Sequence, residues 1–175
     1  MYPKAYIDYL VHFHGLRDYF ECHEILEEYW KSVPKEQEKH HWVGLIQIAV
    51  ALYHQRRNNF SGAKRMMKSA LNIVETNQSK LISLGIDVNV LMSELRTRLN
   101  EITNQQPYHS FNFPLLDKDL RALCEQKCQE IECTYGMPSD LDNDYLIHKH
   151  TLRDRKPVIK ERLEQHAIRK KKREG

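Results

Sequence analysis

Trp42-Val43-Gly44-Leu45-Ile46-Gln47-Ile48-Ala49-Val50-Ala51-Leu52-Tyr53-His54 decides the fold. The run has helix-forming residues and is apolar almost all round. A helix apolar on every side is buried on most sides, so this one, read from about Lys35 to Arg57, is the expected centre of the molecule. Its length is below the ~20 residues of a membrane span, so no membrane partner is expected. Gln47 and His54 share one stripe of this helix, and buried polar groups need partners.

Outward on the N-terminal side stands Tyr19-Phe20-Glu21-Cys22-His23-Glu24-Ile25-Leu26-Glu27-Glu28-Tyr29-Trp30. At 100° per residue, Leu16, Tyr19, Phe20, Leu26 and Trp30 form a stripe, with His23 near its centre, Glu27 beside it and Glu24 on its edge. A shorter helix, from Pro3 to about Phe13, precedes it and is expected to stop at Gly15. On the C-terminal side, Asn58-Asn59 is a turn. Phe60 to about Thr76 reads as a helix, followed by a short one near Lys80–Leu84. Asp87 and Asp117 are N-caps for helices ending near Ile102 and Cys133. The loop Gln106–Pro114 is expected to pack back through Tyr108, Phe111 and Phe113. The prediction is an all-α compact bundle of about five to six helices over residues 1–135. Residues 136–175 are expected as a linker and a charged, mobile, basic C-terminal extension.

The three blocks Tyr19–Trp30, Gly44–His54 and Arg57-Asn58-Asn59-Phe60-Ser61-Gly62-Ala63 resemble the bacterial family known as domain of unknown function 309. The resemblance covers about residues 16–81. The family usually has Gly-Asn before its last block; Asn58-Asn59 stands here, and Asn tolerates the left-handed geometry. The resemblance implies an all-helical fold and carries over no catalytic residue.

The net charge is +3 over 175 residues, but residues 149–175 alone hold +7, which leaves residues 1–148 at −4. The basic cluster Arg169, Lys170, Lys171, Lys172 and Arg173 can grip phosphates, and no aromatic residue interleaves it for base stacking. The start of the chain lacks the apolar core of a signal peptide, and the four cysteines do not form a disulfide framework, so a cytoplasmic protein with reduced thiols is expected.

Two chemical clusters stand out. His23, Glu24, Glu27, Gln47 and His54 are expected as a buried polar network between the second and third helices. Within it, His23, Glu27 and His54 are a donor set for one divalent transition metal, as an alternative to the expectation of no cofactor. Cys124, Cys128 and Cys133, with His148 and His150 beyond, lack the usual zinc spacing. Cys124 and Cys128, four apart, read as small apolar residues on one helix face. Exposed Tyr29 and the Tyr2, Tyr6, Tyr9 group either cover the bundle or form a homodimer contact, and the sequence does not choose between them. No nucleophile elbow, phosphate loop or dinucleotide fingerprint is present. The leading functional expectation is therefore a non-enzymatic interaction or regulatory module with an unknown protein partner. A metal-binding protein or metal-dependent hydrolase centred on His23, Glu27 and His54 is the alternative. Nucleic-acid binding through the tail is a third.

Overall fold

The computed structural model of the chain describes residues 1–152 and 167–170. Helices α1 (Lys4–Val11), α2 (Tyr19–Ser32), α3 (His40–Arg56), α4 (Phe60–Thr76), α5 (Gln78–Ser83), α6 (Val88–Thr103), α7 (Lys118–Glu130), α8 (Asp144–Ile147) and α9 (Lys149–Leu152) follow in order. A π-helical turn, His12–Leu16, joins α1 to α2. Six of these helices are longer than one or two turns, and no β-strand occurs among the described residues; a single bridge pairs Ile86 with Leu115.

The apolar run works as its composition dictates. Helix α3 is central, packed most extensively against α4 and α2. Leu45, Ile48, Ala49, Ala51 and Leu52 are fully buried. Gly44 lets α4 come close: a Cβ there would stand 2.9 Å from Ile73 Cγ2. Burial of this kind is worth ~25 cal/mol per Å² of apolar surface, and it outweighs helix propensity in fixing the bundle.

The caps at Asp87 and Asp117 fall where the sequence puts them, and Asn59 of the expected turn is a further cap. Asp87 accepts from the Val90 amide, Asp117 from Asp119 and Leu120, and Asn59 from Gly62. Asn58, at φ 64°, ends α3 in a Schellman turn: its amide donates to Gln55 O and the Asn59 amide to His54 O.

Three boundaries differ from expectation. Gly15 does not end the first helix. It lies inside the π turn, and the break comes at Arg17, at φ 53°. Helix α3 starts at His40, because Lys39 Nζ reaches back to the Trp30 and Val33 carbonyls and so fixes the preceding turn. The chain after residue 135 does not leave the bundle as a linker. Residues 137–150 pack onto α2 and α3, with Leu146 and Ile147 buried, so the expected boundary at 135/136 coincides with no break in packing.

Candidate functional site

Helix α2 is turned by about one residue from the expected stripe. The deepest ray runs through Tyr19, Cys22 and Leu26, all fully buried, because α1 and α3 both cover it and Cys22 donates its thiol hydrogen to Tyr9 O. His23 and Glu27 therefore come out at the surface. Their side chains are 30% and 36% exposed, and His23 Nε2 lies 2.6 Å from Glu27 Oε2. Lys31 Nζ closes on the other Glu27 oxygen at 3.1 Å, which makes a surface ladder of four-residue steps. Glu24 is exposed. Gln47 is half-buried, and its Oε1 has no hydrogen-bond partner among the described residues.

His54 does not bridge to Gln47. Its Nδ1 sits 3.3 Å from Asn59 Nδ2, in the turn after α3. Loss of solvent, then the charges of Arg57 and neighbouring cations, push its pKa down to about 4. The expected buried network of five is thus a surface ion pair, an exposed glutamate (Glu24), a half-buried amide and a separate helix-end histidine. His23 and His54 do share one feature. Together with Phe20, Val50, Tyr53 and His150 they line a small apolar cavity of about 150 Å³. Glu27 is not part of its wall. Among the described residues, no group of three or more His, Cys, Asp or Glu side chains is placed to hold a metal ion.

Cys124 and Cys128 lie on the buried face of α7. Burial pushes the Cys124 thiol up to about 11. Of the basic cluster, Arg169 and Lys170 are exposed, and Lys171, Lys172 and Arg173 lie outside the described residues. Tyr6 and Tyr9 are fully buried, donating to Leu84 O and Leu45 O, so they do not form a surface patch.

The residues that sequence reasoning missed are three buried arginines. Arg17 donates to Met137 O at 2.7 Å, to Asn112 Oδ1 at 2.6 Å and to Phe111 O. Arg56 donates to Arg17 O at 2.6 Å, Ser139 Oγ at 3.2 Å and Leu146 O at 3.3 Å, with its guanidinium 4.6 Å from the Tyr19 ring centre. Arg98 donates to His109 O at 2.6 Å and Gln55 Oε1 at 3.2 Å. All three are buried, and their acceptors are neutral oxygens of chain segments beyond their own helices. Guanidinium is the cation suited to this, with five donors in a rigid fork and weak hydration. The arginines bind loop carbonyls that no helix or strand satisfies, and so fasten residues 106–146 to the bundle. The visible signal was Arg56-Arg57 closing an apolar helix and Arg17 following Gly15. Neither pattern says which carbonyls the guanidinium meets.

The fastened arm, residues 132–150, forms one wall of an open groove of about 460 Å³ whose other wall is the π turn and the start of α2. Leu16, Met137 and Tyr145 line it, each at least 40% exposed, and Leu141, 60% exposed, adjoins on the same segment. Residues 132–148 contain Glu132, Asp140, Asp142 and Asp144, all exposed, and no Lys or Arg. Lys149 is already engaged: its Nζ lies 2.8 Å from Asp18 and 3.5 Å from Glu21, beneath the arm. The groove therefore combines exposed apolar surface, with Lys149 Nζ 5.6 Å from the Tyr145 ring centre, and an acidic edge.

A bundle centred on one apolar helix, with an open groove on its surface, defines a small all-helical protein. Residues 6–66 match the family described as Domain of unknown function (DUF309). The chain is also similar, at 48% identity over 174 residues, to the Uncharacterized protein YpuF of Bacillus subtilis (strain 168). That alignment spans 99% of this chain and 100% of the relative. The chain belongs to this family. No solved structure matches it. The matched segment ends within α4, so the arm and its acidic edge lie beyond it.

Proposed function

We propose that this protein is a non-enzymatic interaction module whose partner is a basic protein segment carrying a large apolar side chain. The observation that supports this is the groove between the π turn and the arm. Exposed Leu16, Met137 and Tyr145 offer apolar contact; Glu132 and Asp140 in the wall, with Asp142 and Asp144 beside them in sequence, give an acidic edge, and the nearby Lys149 is already held by Asp18 and Glu21. Apolar anchors in a groove give affinity, and the charged rim gives attraction and register. The groove is held in place before any partner arrives, since Arg17 and Arg56 fix the arm through main-chain oxygens. A preorganised surface loses less entropy on binding.

The test is a titration of the full-length protein into a dye-labelled synthetic peptide of alternating Lys and Leu residues, read by fluorescence anisotropy. The reading expects saturable binding that weakens as salt rises and falls at least ~10-fold in Asp142→Lys/Asp144→Lys, as for other charge-steered contacts. No saturable binding, or equal binding by wild type and double variant, overturns it.

A further inference from the structure

Helix α7 ends in a Schellman turn. Glu132 takes the left-handed conformation at φ 59°, its amide donates to Gln129 O at 3.1 Å, and the Cys133 amide donates to Cys128 O at 2.9 Å. That motif brings two side chains five residues apart into contact, normally as an apolar pair. Here both are cysteines. Their sulfurs are neighbours, since both lie within 2.8 Å of the point where a Cβ on Gly15 would stand. Gly15 covers them both: a Cβ at that position would stand 2.4 Å from the Cys133 sulfur and 2.8 Å from the Cys128 sulfur. The two sulfurs thus meet at one point under the π turn, where any residue larger than glycine would collide with them.

The pair is asymmetric. Cys128 is buried, its thiol is pushed up by burial and by the neighbouring Cys133 thiol, and it also reaches toward Val11 O. Cys133 is half-buried and opens on the 460 Å³ groove. Reactivity follows thiolate character and access, so Cys133 is the sulfur that meets a reagent and Cys128 the one that waits behind it.

We propose that Cys133 and Cys128 form a redox-active thiol pair that a low-molecular-weight disulfide converts, through Cys133, into an intramolecular disulfide. In the first step Cys133 loses its proton, and its sulfur attacks one sulfur of the reagent RSSR. The S–S bond of the reagent breaks, a Cys133–S–SR bond forms, and RS⁻ leaves and takes up the proton. In the second step Cys128 loses its proton and attacks Cys133. The Cys128–Cys133 bond forms, and the second RS⁻ leaves and is protonated. Two protein thiols are oxidised, and one reagent disulfide is reduced to two thiols. The helix-terminal turn supplies the short backbone approach that the bond needs, Cα atoms being about 4.4–6.8 Å apart in disulfides. The inference stands apart from the groove's proposed partner, because its readout is the mass of the protein alone.

The experiment treats the reduced full-length protein with hydroxyethyl disulfide at neutral pH, then maps intact mass and peptides. The expected product is lighter by about 2 Da, for two hydrogens lost, with the Cys128 and Cys133 peptides linked. Cys128→Ala, checked for fold by circular dichroism, is expected to stop at the mixed disulfide on Cys133. A wild-type protein that keeps a stable adduct on Cys133, stays fully reduced, or reacts as fast at Cys22 or Cys124 overturns the proposal. The wild-type result decides it even if the variant does not fold.

Discussion

Two surfaces of this molecule carry polar residues against apolar ones, and they differ in what holds them. On α2, His23, Glu27 and Lys31 form a ladder within one helix, at the surface, with water beside every member. On the arm, Arg17 and Arg56 reach across more than eighty residues of sequence to buried carbonyls. The first set is local and nearly dispensable, because exposed pairs four residues apart contribute only ~0.3–0.5 kcal/mol. The second is long-range and costly to break, because a lost guanidinium leaves buried acceptors unpaired. Conspicuous polar residues in a helical motif and the polar residues that shape the surface are thus different residues.

The largest expected effect is at Arg17. Arg17→Met removes three hydrogen bonds to the arm and its flanking loop. It should cost ~3 kcal/mol or more, because each buried acceptor left unpaired costs ~1–3 kcal/mol. Urea denaturation reads the loss, and hydrogen exchange should accelerate first at residues 137–147. A loss under ~1 kcal/mol would mean the arm is held by its apolar contacts alone.

The next effect is pH dependence. His14 is fully buried, donates through Nδ1 to Leu10 O and accepts the Phe113 amide at Nε2. Burial pushes it down to about 3. A histidine with a depressed folded pKa binds fewer protons when folded, so stability is full above the unfolded value near 6.5 and falls as pH drops toward the folded one. By pH 5 this single group should cost about 2 kcal/mol. His41 and His54, both pushed down to about 4 by loss of solvent, act in the same direction. Urea midpoints at pH 7.5 and pH 5 measure the slope, which should shrink in His14→Gln; an unchanged slope would show that other groups dominate.

The smallest effect belongs to the helical motif. Glu27→Gln should change stability by less than ~0.5 kcal/mol, since all three side chains of the ladder are at least 30% exposed. A loss above ~2 kcal/mol would return that pair to the core.

Much of the bundle was legible in the sequence. The all-round apolarity of residues 42–54, the Asp87 and Asp117 caps and the Asn58-Asn59 turn each rest on local chemistry that composition states directly. The inward polar cluster was not legible, because a rotation of α2 by one residue exchanges His23 for Cys22 on the buried ray, and helical periodicity is broad enough to admit both. The arm was less legible still. Residues 136–144 read as a linker because their hydrogen bonds are made by arginines far away in sequence, and no local pattern records that. The contact of Cys128 with Cys133 was within reach, since five-residue spacing across a helix end is the Schellman offset. Seeing it required placing that helix end at Glu130 and not at Cys133.

The most direct test of the account is amide mapping of the labelled protein during titration with the basic Lys/Leu peptide. The account predicts that shifts concentrate in residues 132–146 and in the π turn, while the outer face of α2 around His23 and Glu27 stays still. Shifts centred on His23, Glu27 and His54, with the arm unmoved, would contradict it.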